Sequence, residues 1–179
     1  RNLCSCTADQ PKLVSRELNQ SLHLAIALPK ADRAKELVTR LTEIGATKVT
    51  PLVAERTQRP PTESSLEKLR RAVIEASKQC ERNQLMEIGP TAMSADFFQS
   101  EPRGKCYLAH RCERAIPIQC ADLSTDLVAA VGPEGGFTDP EVQSAIDHGF
   151  DPVRLGSRIY RVETAAVVIA SIVSVCETP

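Results

Sequence analysis

The chain has 179 residues, a formal charge of −1, 42% hydrophobic residues and 25% charged residues, which suits one domain with a small appendage. A near-neutral chain exerts no global pull on nucleic acid or an anionic membrane, so such a partner needs a local basic patch. Its longest apolar run, Ala165 to Ala170 and on through Ile172, Val173 and Val175, is too short to span a bilayer.

No tryptophan is present and aromatics are sparse, so Leu, Val, Ile and Ala must build the core. No secretory signal pattern opens the chain. Cys4, Cys6, Cys80, Cys106, Cys112, Cys120 and Cys176 are scattered without C-x-x-C spacing, and they read as reduced thiols of a cytoplasmic protein. Cys106, His110 and Cys112 lack zinc-site spacing, so no metal is expected.

Residues 1–20 show little pattern and read as a tail or the remnant of another domain; 21–179 read as the globular unit. SLHLAIAL, residues 21–28, predicts a strand. In ADRAKELVTRLTEIGA, Ala34, Leu37, Leu41 and Ile44 recur at helical spacing, and Gly45 stands where a helix stop belongs. TKVTPLVA is a second strand. Strand, helix, strand in that order is a βαβ unit and favours a parallel sheet.

ERTQRPPTESS is a loop carrying Arg56 and Arg59. A long helix is predicted over 64–81, with Leu66, Leu69, Val73, Ala76 and Cys80 as its apolar stripe. Glu75, Gln79 and Arg82, spaced i, i+4, i+7, share its other face. A short strand near 85–88 precedes an irregular stretch reaching Gly104. KCYLAH and DLVAAVG read as buried strands. Thr138-Asp-Pro-Glu141 is a capping box that opens a helix, with Val142, Ala145 and Ile146 inward and Gly149 at its end. A strand over 152–155, a loop over 156–161 and a closing helix over 162–175 complete the chain. That last helix is apolar nearly all round, as in a core or a subunit interface.

Two glycine-bearing loops each lead from an apolar strand to a helix start: VGPEGGF (131–137) and LGSRIYRVETA (155–165). Backbone N–H groups at such a junction can hold phosphate, but neither loop has the spacing of a phosphate-binding or dinucleotide-binding motif. Alone, Arg158 and Arg161 read as surface cations.

Together, VGPEGGF and LGSRIYRVETAA resemble the paired signatures of SPOUT-class RNA methyltransferases. Within that class they are similar to the bacterial RsmE family, which methylates N3 of a uridine in 16S ribosomal RNA, with Tyr160 where leucine is usual. LTEIGATKVTPL, ERTQ and EASKQCERN also resemble segments of that family. The resemblance covers about residues 21–176.

It implies an α/β fold with a mostly parallel sheet, flanking helices and a deep C-terminal trefoil knot, a rare exception to unknotted chain paths. The small N-terminal β-barrel of full-length family members is not expected within residues 1–20. It also implies S-adenosylmethionine as cofactor, a homodimer across the knot, ribosomal RNA of the small subunit as partner, and neither membrane nor metal. The implied cofactor contacts are Leu108, His110, Val131, Gly132, Pro133, Glu134, Gly135, Gly136, Leu155, Gly156, Ile159, Tyr160, Thr164 and Ala165. Gly132, Gly135, Gly136 and Gly156 are expected to admit the adenosyl group where a Cβ would intrude.

Uridine N3 must lose its proton to become nucleophilic, and the base must be unpaired or flipped out to reach the site. Arg161 is the candidate for stabilising the resulting anion. Glu163 is the candidate for taking the proton, for holding Arg161, or for complementing the helix dipole. Arg56, Gln79, Arg82 and Arg158 are candidates on the substrate side. The alternatives are a knotted methyltransferase acting on transfer RNA or a ribose hydroxyl, and an inactive RNA-binding or dimerisation module.

Overall fold

Leu22, Leu24 and Ile26 alternate with His23 and Ala25 along β1 (Leu22–Ile26), a period of two that sends the two sets to opposite sheet faces. Helix α1 (Ala31–Ile44) buries Ala34, Leu37, Val38 and Leu41 and stops at Gly45, whose φ of 109° is the left-handed cap anticipated at that position. β2 (Lys48–Val53) runs parallel to β1. Helix α2 (Glu63–Gln79) starts at Thr62, whose side chain accepts a hydrogen bond from the Ser65 amide. The computed structural model describes Ser5, Thr7, Gln10 and residues 14–176.

Beyond α2 come β3 (Glu87–Ile88), β4 (Ala92–Met93), α3 (Ser94–Gln99), β5 (Lys105–Ala109), β6 (Ile116–Pro117), β7 (Leu127–Val131), α4 (Asp139–Asp147), β8 (Phe150–Arg154) and α5 (Val162–Val175). The sheet order is β3-β2-β1-β7-β5-β8-β6, with β4 also on β2, and all these pairings are parallel. Pro51 explains why β3 and β4 are separate pieces. Val49, two residues before it, accepts from Gly89 on that edge, so Pro51 faces the same way and has no N–H to continue the ladder.

One sheet face packs Leu22, Leu24, Ile26, Leu127 and Ala129 against α1, α2 and α5. The other packs Ala25, Leu108, Val128 and Ala130 with Phe97, Phe98, Phe137 and Phe150, under α3 and α4. The rings of Phe98 and Phe150 meet edge-on at 5.1 Å between centroids. The two clusters complete a helix–sheet–helix sandwich.

Two expectations need correction. The stretch between Ile88 and Gly104 is not irregular: it forms β4 and α3, and α3 exists to deliver Phe97 and Phe98 to the core. Residues 14–20 are not a tail either. Arg82 donates to Glu17, Asn83 donates to the Val14 carbonyl at 2.7 Å, and Gln20 donates to the Leu123 carbonyl at 3.3 Å. Leu18 covers Gly45 so closely that a Cβ there would stand 2.8 Å from its Cγ. Cys4 and Cys6 lie outside the described residues.

Candidate active site

The carboxyl ends of β5, β7 and β8 and the first turn of α5 surround a cleft. Parallel α/β sheets place ligands at these strand ends, beside the point where strand order reverses. Here the reversal falls between β1 and β7. From β7 come Val131, Gly132, Pro133, Glu134, Gly136 and Phe137; from β5 come Ala109, His110 and Arg111. The β8 side gives Val153, Leu155, Arg158, Ile159 and Tyr160, and α5 closes the floor with Val162 and Ala165.

The walls are largely apolar and the rim carries the polar groups. Burial lowers the pKa of His110, with Asp139 pulling the other way, so at neutral pH the cleft presents a neutral imidazole. Ile159 is 90% exposed at the mouth, an apolar side chain left without cover. Arg111 ties the two rims by donating to the Ser157 carbonyl at 3.1 Å.

The glycine loop is fixed from outside the cleft. Gly136 N–H closes a turn onto the Pro133 carbonyl at 2.8 Å, and Arg56 donates to the Gly135 carbonyl at 2.7 Å. Behind it, one Glu141 oxygen accepts from the Thr138 amide at 2.9 Å, which completes the capping box. The other Glu141 oxygen accepts from Glu55 N–H at 2.9 Å and Ser94 hydroxyl at 2.6 Å. Burial raises the Glu141 pKa, but these donors outweigh it and hold the carboxyl below its ordinary range. Glu141 therefore joins the glycine loop, the loop after β2 and the start of α3.

Most of the expected cofactor residues converge on the cleft, with four exceptions. Leu108 faces the phenylalanine cluster beneath α3 and α4, because strand alternation sends its neighbour Ala109 to the cleft instead. Gly135 lies under Arg56, and a Cβ on it would be 3.2 Å from Arg56 Cδ. Thr164 points outward from α5 and is exposed. Gly156 stands outside the lining and owes its place to φ of +122°, which side-chain-bearing residues rarely adopt.

The expected reason for the glycines also changes. A Cβ on Gly132 would press the Phe137 ring at 3.0 Å, so protein rather than ligand approaches there. Gly136 has open space beside it and is required by its φ of +70°.

Of the substrate-side candidates, Arg56 and Arg158 border the site. Gln79 does not. It ends α2, whose 17 residues carry it roughly 24 Å from the end of the sheet where the cleft opens. Arg82 is 8% exposed and donates to the Thr42 and Ala46 carbonyls as well as to Glu17. It never shares the Gln79 face, because α2 has ended and Glu81 takes a positive φ.

Arg161 is the N-cap residue of α5, exposed, with no side-chain partner among the described residues. Glu163 does not hold Arg161. One of its oxygens pairs with Arg33 of α1 at 3.8 Å, and the other is buried without a partner.

Ala109, Arg111, Phe137, Val153 and Val162 line the cleft without having been anticipated. Each sits at a strand end or beside a motif residue, so following the strand termini would have found them. Among the described residues no cluster of metal-binding side chains is present.

The family model described as an RNA methyltransferase domain matches residues 16–174. A Synechocystis protein named ribosomal RNA small subunit methyltransferase E is 38% identical over 85% of this chain and 52% of its own length. One of the same name from Rickettsia conorii is 31% identical over 82% and 61%. The chain thus spans about half to three fifths of the length of these curated relatives.

Among solved structures, ribosomal RNA small subunit methyltransferase E of Neisseria gonorrhoeae bound to S-adenosyl methionine superposes with a TM-score of 0.83 at 27% identity, over 90% of this chain and 68% of that one. A Legionella pneumophila protein described as a methyltransferase, in complex with the bound cofactor SAM, gives 0.86 at 29% identity, over 91% and 69%.

Proposed function

The chain belongs to the RNA methyltransferase domain family, and from that premise we propose that it uses S-adenosylmethionine to methylate N3 of a uridine in 16S ribosomal RNA. The observation that carries this reading is the cleft itself. Its two rims are the VGPEGGF and LGSRIYRVETA loops, brought together at the carboxyl ends of parallel strands.

The residues present fit the cofactor. Val131, Val153, Leu155 and Ala165 offer apolar walls for an adenine ring, the glycine loop offers backbone at a helix start, and uncovered Ile159 gains cover from a bound group. When bound, S-adenosylmethionine supplies an electrophilic methyl group.

The chain's own residues do the rest. Arg161 stands free at the α5 cap, where its planar, permanently charged guanidinium can meet the uridine oxygens as N3 loses its proton. Glu163, with one oxygen on Arg33 and the other buried, is assigned to anchoring the start of α5 behind Arg161, and the N3 proton passes to water. Arg158 on the rim and Arg56 beside the glycine loop orient the target strand.

A homodimer is part of this reading. Helix α5 leaves Val167, Val168 and Ile172 only half-buried and Val175 80% exposed, and a second copy would cover them. A monomer by light scattering at micromolar concentration would remove that part. The return of α5 to α1, β1 and β7, after β8 has paired on the far side of β5, supports a knotted C-terminus. A cytoplasmic location follows from the substrate.

The deciding experiment incubates the protein with labelled cofactor and unmodified small subunits, then digests the RNA to nucleosides. Label in 3-methyluridine supports the reading. Label in a ribose methyl group, or only in transfer RNA, assigns the chemistry elsewhere.

A further inference from the structure

The outer groove between α1 and α2 carries a charge pattern that the cleft does not use. The two helices hold basic residues at Arg33, Lys35, Arg40, Lys68, Arg70, Arg71 and Lys78. Four are neutralised within the fold: Arg33 by Glu163, Arg40 by Glu36, Arg70 by Glu63 and Glu67, and Lys78 by Glu75. Lys35, Lys68 and Arg71 have no side-chain partner among the described residues, are exposed, and all line this groove.

Chance placement of unpaired cations would scatter them around the helix surfaces. Here they converge over a floor formed by Ala72 and Ala76, whose small side chains keep the groove open. They also occupy its upper half, in the first turns of α1 and the first half of α2, toward the end of the sheet where the cleft opens. The acidic groups of the groove, Glu43 and Glu75, lie in its lower half with Gln79, and Glu75 is already paired with Lys78. In a chain of net charge −1, a locally cationic groove whose basic half lies toward the same end of the sheet as the cleft matches a polyanion.

We propose that the α1–α2 groove, through Lys35, Lys68 and Arg71, binds the phosphodiester backbone of the RNA flanking the target nucleotide. This rests on the reading that the substrate is RNA. Such contacts fix register without reading sequence. The groove therefore contributes affinity and salt dependence, while base selection stays at the cleft.

The test compares the parent with the triple variant Lys35→Gln, Lys68→Gln, Arg71→Gln, and with Arg40→Gln as a control, since Arg40 and its partner Glu36 both lie outside the groove. Binding of a small-subunit ribosomal RNA fragment is followed across a salt series, beside a cofactor titration. Losing three phosphate contacts should lower the slope of log affinity against log salt by about 2–3. It should weaken binding at least about tenfold at low salt. Cofactor affinity and the Arg40→Gln control should match the parent.

Equal slopes for parent and triple variant would overturn the groove while leaving the methyltransferase reading intact. A parent that binds no RNA would overturn both. Groove-dependent binding without a methylated product would sustain the groove and remove the reaction. If the triple variant bound naked RNA normally but lost intact subunits, the partner would be an acidic protein surface and the proposal would fail.

Discussion

Glu141 offers a separable test of what holds the glycine loop, because its two oxygens do different work. One serves the capping box of α4; the other receives Glu55 N–H and the Ser94 hydroxyl, from two other segments. Glutamine can replace glutamate in a capping box. In Glu141→Gln the amide oxygen keeps the cap; the NH₂ group confronts the Glu55 N–H, while the Ser94 hydroxyl can turn to accept from it. A hydrogen bond to a charged acceptor contributes about 1.5–3 kcal/mol. The Glu55 N–H loses its acceptor and the Ser94 bond falls from charged to neutral strength, so the expected loss is roughly 1.5–2 kcal/mol. If that docking must be restored when the cofactor binds, affinity falls about tenfold to thirtyfold, at 1.4 kcal/mol per decade.

Calorimetric titration with S-adenosylmethionine measures this, with Ser94→Ala giving a smaller loss in the same direction. Affinity within twofold of the parent in Glu141→Gln would show that the residue is only a helix cap. The pH dependence follows in sign. The folded pKa is depressed below its ordinary 4.5, so the stabilisation is present above about pH 4.5 and lost as pH falls through the lower folded value. Glu141→Gln should lack that step.

Arg161→Lys and Arg161→Ala should each lose about a hundredfold to a thousandfold in single-turnover methyl transfer while binding cofactor within a few-fold of the parent. Collapse of cofactor affinity with normal chemistry at saturation would make Arg161 a strut of the loop. Gly156→Val forces a branched side chain into a backbone with φ of +122°. The strain, about 1–3 kcal/mol, should distort the 155–161 rim and weaken cofactor binding in a folded protein; unchanged affinity would exclude that rim from the site. His23 is held at a pKa of about 4, chiefly by burial with Lys48 adding, against an ordinary 6.5. The unfolded chain therefore takes up a proton that the fold refuses between these values, and stability should fall as pH drops from 6.5 toward 4, by up to about 3 kcal/mol. In His23→Gln, which can keep a hydrogen bond to Thr50, chemical denaturation across that range should show this component gone; an unchanged slope would contradict the buried neutral imidazole.

Where a single element carried a long repeat, the sequence was enough. The 3.6-residue spacing of Ala34, Leu37 and Leu41 and the stop at Gly45 define α1, and Thr138 with Glu141 marks the start of α4. Helix α3 was illegible because its six residues hold less than two turns, too few for a period, and only the Phe97–Phe98 pair signals it. The 14–20 strap escaped notice because polar groups distant in the chain hold it, with Glu17 on Arg82 and Gln20 on Leu123. At the site, the resemblance implied Leu108, whereas strand alternation turns its side chain to the phenylalanine cluster and brings Ala109 to the cleft. Helical spacing misassigned Arg82, because α2 ends before it. The Arg33–Glu163 contact joins residues far apart in the chain, and no local pattern announces it.

The most direct test of the cofactor site is a titration of the isotopically labelled chain with S-adenosylmethionine, followed by backbone amide resonances. Saturable shifts concentrated at 109–111, 131–137 and 155–165 are expected, with the α1–α2 groove unmoved. Absence of binding, or shifts centred away from these three segments, would contradict the assignment of this cleft as the methyl-transfer site.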